Sequence, residues 1–207
     1  MKRHYDSSAT TRLAAAVREV ESRSCAELVL EIQSRSGSYA HADARFGALL
    51  AFISLAAVLG LPVSFPPYAL IVDTVAFFFI GLAISKRSNN VRRLMTSNRE
   101  RKDAVRAKAA ALFFERGLAN TSEETGLLLF VSLLEQKAEL LADRGLLRLL
   151  PPEEWNAVLA SIHAARRFAP EDVIAIVQRL GAILHVCAPA SGENPDELTS
   201  MPQLDLT

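Results

Sequence analysis

The longest feature of the hydrophobic pattern is one apolar stretch. From Phe46 to Ser85 the chain carries a single charged residue, Asp73, and no polar stripe at helical spacing. A helix lying on a soluble surface needs such a stripe. The stretch divides at Leu-Pro-Val-Ser-Phe-Pro-Pro, where Pro62, Pro66 and Pro67 break any helix and bias their predecessors to extended backbone. The halves, 46–65 and 68–85, hold about 20 and about 18 residues, close to the roughly 20 that cross a bilayer core. The pattern predicts a two-helix transmembrane hairpin with a proline-rich tip. The alternative is a buried helical hairpin of a soluble protein.

Outside this stretch the periods change. Ser7, Ser8, Thr10 and Thr11 offer helix caps, and Leu13, Val17 and Val20 then share one face, which predicts a helix over 7–24. In Cys25 to Gln33, Leu28, Leu30 and Ile32 alternate with Glu27, Val29, Glu31 and Gln33, a strand pattern. Glu27 and Glu31 share a face about 13 Å apart, too far to clasp one metal alone, and read as a solvated or partner-facing edge. Ala104 to Gly117 predicts a helix stopped by glycine. Leu127 to Leu134 reads as a strand covered on both faces, turning at Glu135-Gln136 into a returning strand over 137–142; a single long helix competes for the same residues. Pro151-Pro152 with Glu153-Glu154, and Pro170 with Glu171-Asp172, open two closing helices that end near 166 and 186. The tail, 189–207, is acidic, rich in Pro and Ser, and expected to be loosely ordered.

Charge gives the hairpin a direction. Arg35 and Arg45 precede it, Lys86, Arg87, Arg92 and Arg93 follow it, and its tip has none. The positive-inside rule then keeps both flanks in the cytoplasm, predicting two spans in the inner membrane. The basic stretch 86–103 reads as a stalk continuing the second span, with Lys86, Arg87, Arg92 and Arg93 at an anionic lipid surface. It lacks the interleaved aromatics of a nucleic-acid surface, and net charge is zero with a pI near 6.9. Asp73 follows Tyr68 by five positions, shallow enough to reach interfacial water; pairing in an oligomer is the alternative. Half the residues are hydrophobic and mean hydropathy is +0.19, as an anchored domain requires. Residues 1–45 contain no apolar core of a cleavable signal. Cys25 and Cys187 form no CxxC motif and read as two reduced, buried thiols.

Several residues taken together resemble a known family: Ala26-Glu27-Leu28 in the first strand, Thr121 and Gly126-Leu127-Leu128 entering the central strand, Ser132, Lys137, Asp143, Gly145, Trp155, and Asn194 to Leu198 in the tail. Their order and spacing are similar to the TPM domain family, and the chain resembles a bacterial membrane-anchored member. That family includes thylakoid-lumen phosphatase-like proteins, photosystem II repair factors and a receptor modulator. The resemblance implies an α/β/α sandwich with a small mixed sheet, split between 1–45 and 104–188 by the hairpin, and it implies two strands over 127–142. It implies an interaction or modulator module, with a weak divalent-metal phosphatase or a purely structural membrane protein as alternatives.

Motif chemistry leaves enzymatic activity undecided. GxxxxGK[ST], GxGxxG and GxSxG are absent, and His4, His41, His163 and His185 have no metal-ligand spacing. What remains is carboxylate. Asp143 falls at a strand end, and Glu123 and Glu124 precede the central strand, so a hairpin brings them to one end of the sheet. Carboxylates there would suit Ca²⁺ or Mg²⁺; solvated loop charges and a capped turn are the plainer reading. The partners expected are the lipid bilayer and a membrane protein or a second copy of the chain.

Overall fold

The computed structural model describes residues 5–63, 65–121, 124–165, 167–190 and 202–205. In chain order the elements are α1 (Ser7–Arg23), β1 (Glu27–Gln33), α2 (Ala40–Leu59), α3 (Pro67–Arg87), α4 (Asn89–Leu94), α5 (Asn98–Glu115), β2 (Gly126–Ser132), β3 (Lys137–Ala142), α6 (Arg144–Leu149), α7 (Pro152–Ala164), α8 (Pro170–Cys187) and β4 (Gln203–Asp205). They fall into two compact units, one of residues 1–36 with 102–207, the other of residues 37–101.

The first unit is built on a mixed sheet of order β3-β2-β1-β4. β1 pairs parallel with β2 and with β4, and β2 turns back antiparallel into β3. The turn passes through Gln136 at φ 51°. Leu28, Leu30, Ile32, Leu127, Leu129 and Val131 pack into one buried cluster with side chains of α1, α7 and α8, among them Leu13, Val17, Val158, Ile162, Val177 and Leu184. On the other face Val29, Leu128 and Phe130 meet Val105, Ala109 and Leu112 of α5. Strand residues alternate between faces, so these two clusters are the two faces of one sheet.

Local signals explain the element ends. Asp6 caps α1, accepting from the Ala9 amide at 2.8 Å. Gly117, at φ 75°, follows the end of α5 in the left-handed region that glycine adopts freely.

Four expectations are corrected. Glu27 and Glu31 are buried, not on a solvated edge: β2 runs beside the whole of β1, and β4 covers its other side from Glu31 to Gln33. The tail contributes β4, where Leu204 lies opposite Ile32 and packs against the core; residues 191–201 and 206–207 of the tail lie outside the described residues. The basic stretch does not continue α3. Ser88 adopts extended backbone and caps the short α4. α5 then begins at Asn98, six residues ahead of the expected start at 104, because Ser97 and Glu100 form a reciprocal cap: each side chain accepts from the other's amide, at 3.1 and 2.8 Å.

The second unit is a helical hairpin. α2 starts ahead of the apolar stretch and ends at Leu59, with the Gly60 amide donating to Ala56 and the turn beginning there. α2 and α3 hold 20 and 21 residues, about 30 Å each, and both are long and apolar enough to cross a membrane. Their outward faces expose Phe52, Ile71, Val72 and Phe79. Their inward faces are small: Gly47, Ala51 and Ser54 on α2, Gly81 and Ser85 on α3. A methyl group on Gly81 would lie 2.7 Å from the Cα of Gly47, and one on Gly47 would lie 2.8 Å from the carbonyl oxygen of Phe78. The two backbones touch, the close approach that small residues permit between apolar helices.

Gly81→Ala is therefore expected to destabilise the hairpin by about 1–3 kcal/mol, the usual cost of overpacking. Ala83→Leu, on the exposed side of α3, is the control. Thermal melts in detergent report the difference, and a Gly81→Ala protein melting with the parent would show that the helices do not meet there.

Candidate functional site

The expected carboxylate group lies at the end of the sheet where β2 begins and β3 ends. Leu127 is opposite Ala142, which brings Glu124 and Asp143 to that same end. Both have local work. Asp143 caps α6, its Oδ1 accepting from the Arg144 amide at 2.7 Å, while its own amide donates to Gly126 at 2.8 Å. Glu124, at φ 56°, accepts from the Leu146 amide through its carbonyl and sets its exposed carboxylate 3.9 Å from Arg148. Glu123 lies outside the described residues. Among the described residues no group of three or more His, Cys, Asp or Glu side chains is arranged to hold a metal ion. In an open α/β sheet the ligand-binding end is the carboxyl end of the parallel strands. Because β1 and β2 run parallel, that is the opposite end from Glu124 and Asp143.

At the carboxyl ends of β1 and β2 a polar cluster stands that sequence reasoning did not assemble. Glu31, 1% exposed, accepts from both the Nε and Nη2 of Arg116, at 3.2 and 2.7 Å, and from the Gln33 side chain at 3.0 Å. Glu135, also 1% exposed, accepts from the Ser36 amide at 2.8 Å and from the Ser132 hydroxyl. The register sets Lys137, Ser132, Gln33 and Asp205 opposite one another across all four strands. Two buried carboxylates are costly unless several donors meet them, and here donors come from β1, β2, the strand exit at Ser36 and the end of α5. The cluster pins the points where the chain leaves β1 and returns from α5. The signal available in the sequence was parity: Glu31 and Gln33 share a strand face with Val29, and Ser132 precedes Glu135 by three.

The hairpin unit holds a second polar set. Arg92 reaches from α4 to Asp43 on α2 through two bonds of 2.9 Å, and Ser85 of α3 donates to the same carboxylate at 2.7 Å. Three helices thus meet on one carboxylate. Hydrogen bonding to Asp43 raises Arg92 further above its ordinary range, so the guanidinium stays charged. Of the basic residues expected at a lipid surface, Lys86 and Arg87 are exposed, Arg93 is half-buried, and Arg92 is turned inward to this pair. Farther along the hairpin the Ser54 hydroxyl donates to Oδ2 of Asp73 at 2.6 Å, and Asp73 is half-buried. Pro67 opens α3 in its first turn, Pro66 precedes it in extended backbone, and Pro62 lies in the turn after α2.

No protein-family model matches this sequence, and no curated protein matches it. Among solved structures, the chain is similar to the BA42 protein of the psychrophilic bacterium Bizionia argentinensis, determined by NMR. The TM-score is 0.54 at 12% identity, over 96% of this chain and 94% of that one. At that identity the likeness is one of fold.

Two outcomes follow from this geometry. Arg116→Ala strands a buried carboxylate and should cost about 2–4 kcal/mol, somewhat under the usual figure for a broken buried pair because Arg116 is itself partly exposed. Glu31→Gln keeps the acceptor for Gln33 and should cost less; denaturant titration giving the reverse order would remove the clamp from the account. Asp143→Ala should cost about 1 kcal/mol through the lost cap. That loss should be the same with and without Ca²⁺, and a calcium-dependent loss would instead point to a metal at Asp143.

Proposed function

We propose that this chain is a membrane-anchored interaction or modulator module of the TPM type, held in the inner membrane by the α2–α3 hairpin with the sheet domain in the cytoplasm. The observation that carries the reading is the hairpin itself. Its exterior is large and apolar, its interior is glycine-tight, and from Phe46 to Ser85 it has one charge. Such a surface is costly in water and ordinary in lipid. The exposed Lys86 and Arg87 at the end of α3 support a cytoplasmic base, while the turn after α2 has no charge to oppose translocation. The helices packed on both faces of a small mixed sheet support an α/β/α sandwich of the kind the family resemblance implies. The carboxylates at the strand ends, each met by protein donors, favour a rigid docking body over a catalytic cleft. A metal-dependent phosphatase would have to draw Asp143 and Glu124 from a helix cap and an ion pair, and no distance among the described residues favours it.

The test is topology in intact cells. With Cys25 and Cys187 replaced by serine, a single cysteine at Val63 should react with an impermeant maleimide from outside, and one at Ser97 only after permeabilisation. The chain should also resist alkaline carbonate extraction, and photo-crosslinking from exposed positions of the sheet domain should trap a membrane protein. Release by carbonate, or labelling of position 97 from outside, would overturn the anchoring or the orientation respectively. Crosslinking that traps nothing would leave an anchor without a module's role.

A further inference from the structure

Asp73 is where the hairpin is incomplete. From the basic edge at Lys86 it is 13 positions along α3, about 20 Å, or two-thirds of the way through a hydrocarbon core of about 30 Å. Its carboxylate is only half-buried, against α2, where Ser54 donates to Oδ2. One hydroxyl meets a fraction of what a carboxylate can accept, since its two oxygens take about four donors. The hairpin holds no countercharge, since no basic residue occurs between Arg45 and Lys86. Arg45 is about 13 Å short of Ser54 along α2, and its side chain bonds the Met95 carbonyl and pairs with Glu100. One turn to either side of Asp73 on the same helix lie Ala69 and Leu70, both half-buried, and Ala76, exposed, with Phe77, half-buried; on the alanine side nothing is large enough to hide it.

We propose that Asp73, flanked by Ala69 and Ala76, forms a docking face for a partner transmembrane helix that carries an arginine or lysine at matching depth. The inference rests on the membrane reading above and names the partner's chemistry. Lipid tails offer neither a donor nor a charge, so the exposed side of this carboxylate must draw on water from the tip side or on another membrane-embedded group, and a helix seated against α3 supplies the second. A second copy of the chain presents the same carboxylate and no cation between its flanks, which makes carboxylate-to-carboxylate contact unfavourable. An arginine supplies charge and paired donors together. Ala69 and Ala76 let such a helix approach closely on their side of Asp73.

The probe is a synthetic leucine-alanine transmembrane peptide with one arginine about six positions from each end, so that either orientation presents a guanidinium at the depth of Asp73; its twin has leucine there. Full-length protein, dye-labelled at a cysteine placed at Val63, is reconstituted in phosphatidylcholine vesicles and first checked by flotation. Energy transfer to the arginine peptide should rise saturably. The leucine twin should transfer at the random-collision level, and Asp73→Asn, which keeps the Ser54 bond, should weaken association about tenfold. Equal transfer to both peptides overturns the proposal, as does an unchanged response in Asp73→Asn. Transfer only between labelled copies, indifferent to the arginine peptide, overturns it in favour of self-association. Protein that fails to float with vesicles fails the membrane reading itself, a separate result from a floated protein that ignores the peptide.

Discussion

Parallel pairing between Glu27–Gln33 and Gly126–Ser132 is the constraint on which the sheet domain depends. Parallel neighbours need a crossover, and here the crossover carries the whole of the second unit, residues 37–101. Loop closure makes this arrangement inexpensive. Its entropy grows only as the logarithm of length, so those extra residues add about 1 kcal/mol to the cost of pairing β1 with β2. What a long crossover does need is definition where it leaves and rejoins the sheet. Glu135 holding the Ser36 amide and Glu31 holding Arg116 supply it, with carboxylates that would be a liability anywhere less well furnished with donors.

Much of this is legible from period alone. Unbroken apolar character announces α2 and α3, alternation announces β1, and proline with acids announces α7 and α8. Local composition leaves the region around Leu127 divided between helix and hairpin. β4 escapes notice because three residues in a polar tail carry no period, and their strand character comes entirely from pairing with a distant β1. The stalk is deceptive because Val91 to Leu94 and their arginines look like a helix extension. Ser88 capping α4 and the Arg92–Asp43 pair turn the chain there, and a partner 49 residues away leaves no local trace.

The same limit governs the candidate sites. Glu124 and Asp143 do come to one end of the sheet, but choosing between the ends requires knowing which strands are parallel, which no single segment reveals. Alternation places Glu31 on the right face and in the wrong environment, since whether a strand is central or at an edge depends on every other strand. Asp73 is visible as a charge in an apolar stretch. Its bond to Ser54 is not, because the helix crossing that makes it is set by glycines at 47 and 81.

The strand order has a consequence for synthesis. β1 leaves the ribosome ahead of the entire hairpin, yet its neighbours are β2, which follows that hairpin, and β4, which comes later still. At about 5–20 residues per second, β1 waits on the order of 5–20 s for β2. During that interval Leu28, Leu30 and Ile32 have no sheet to join, while α2 and α3 emerge as a complete apolar pair. The nascent chain therefore presents two long apolar helices before it possesses a sheet domain. Its sheet is assembled afterwards, from strands made on either side of the hairpin.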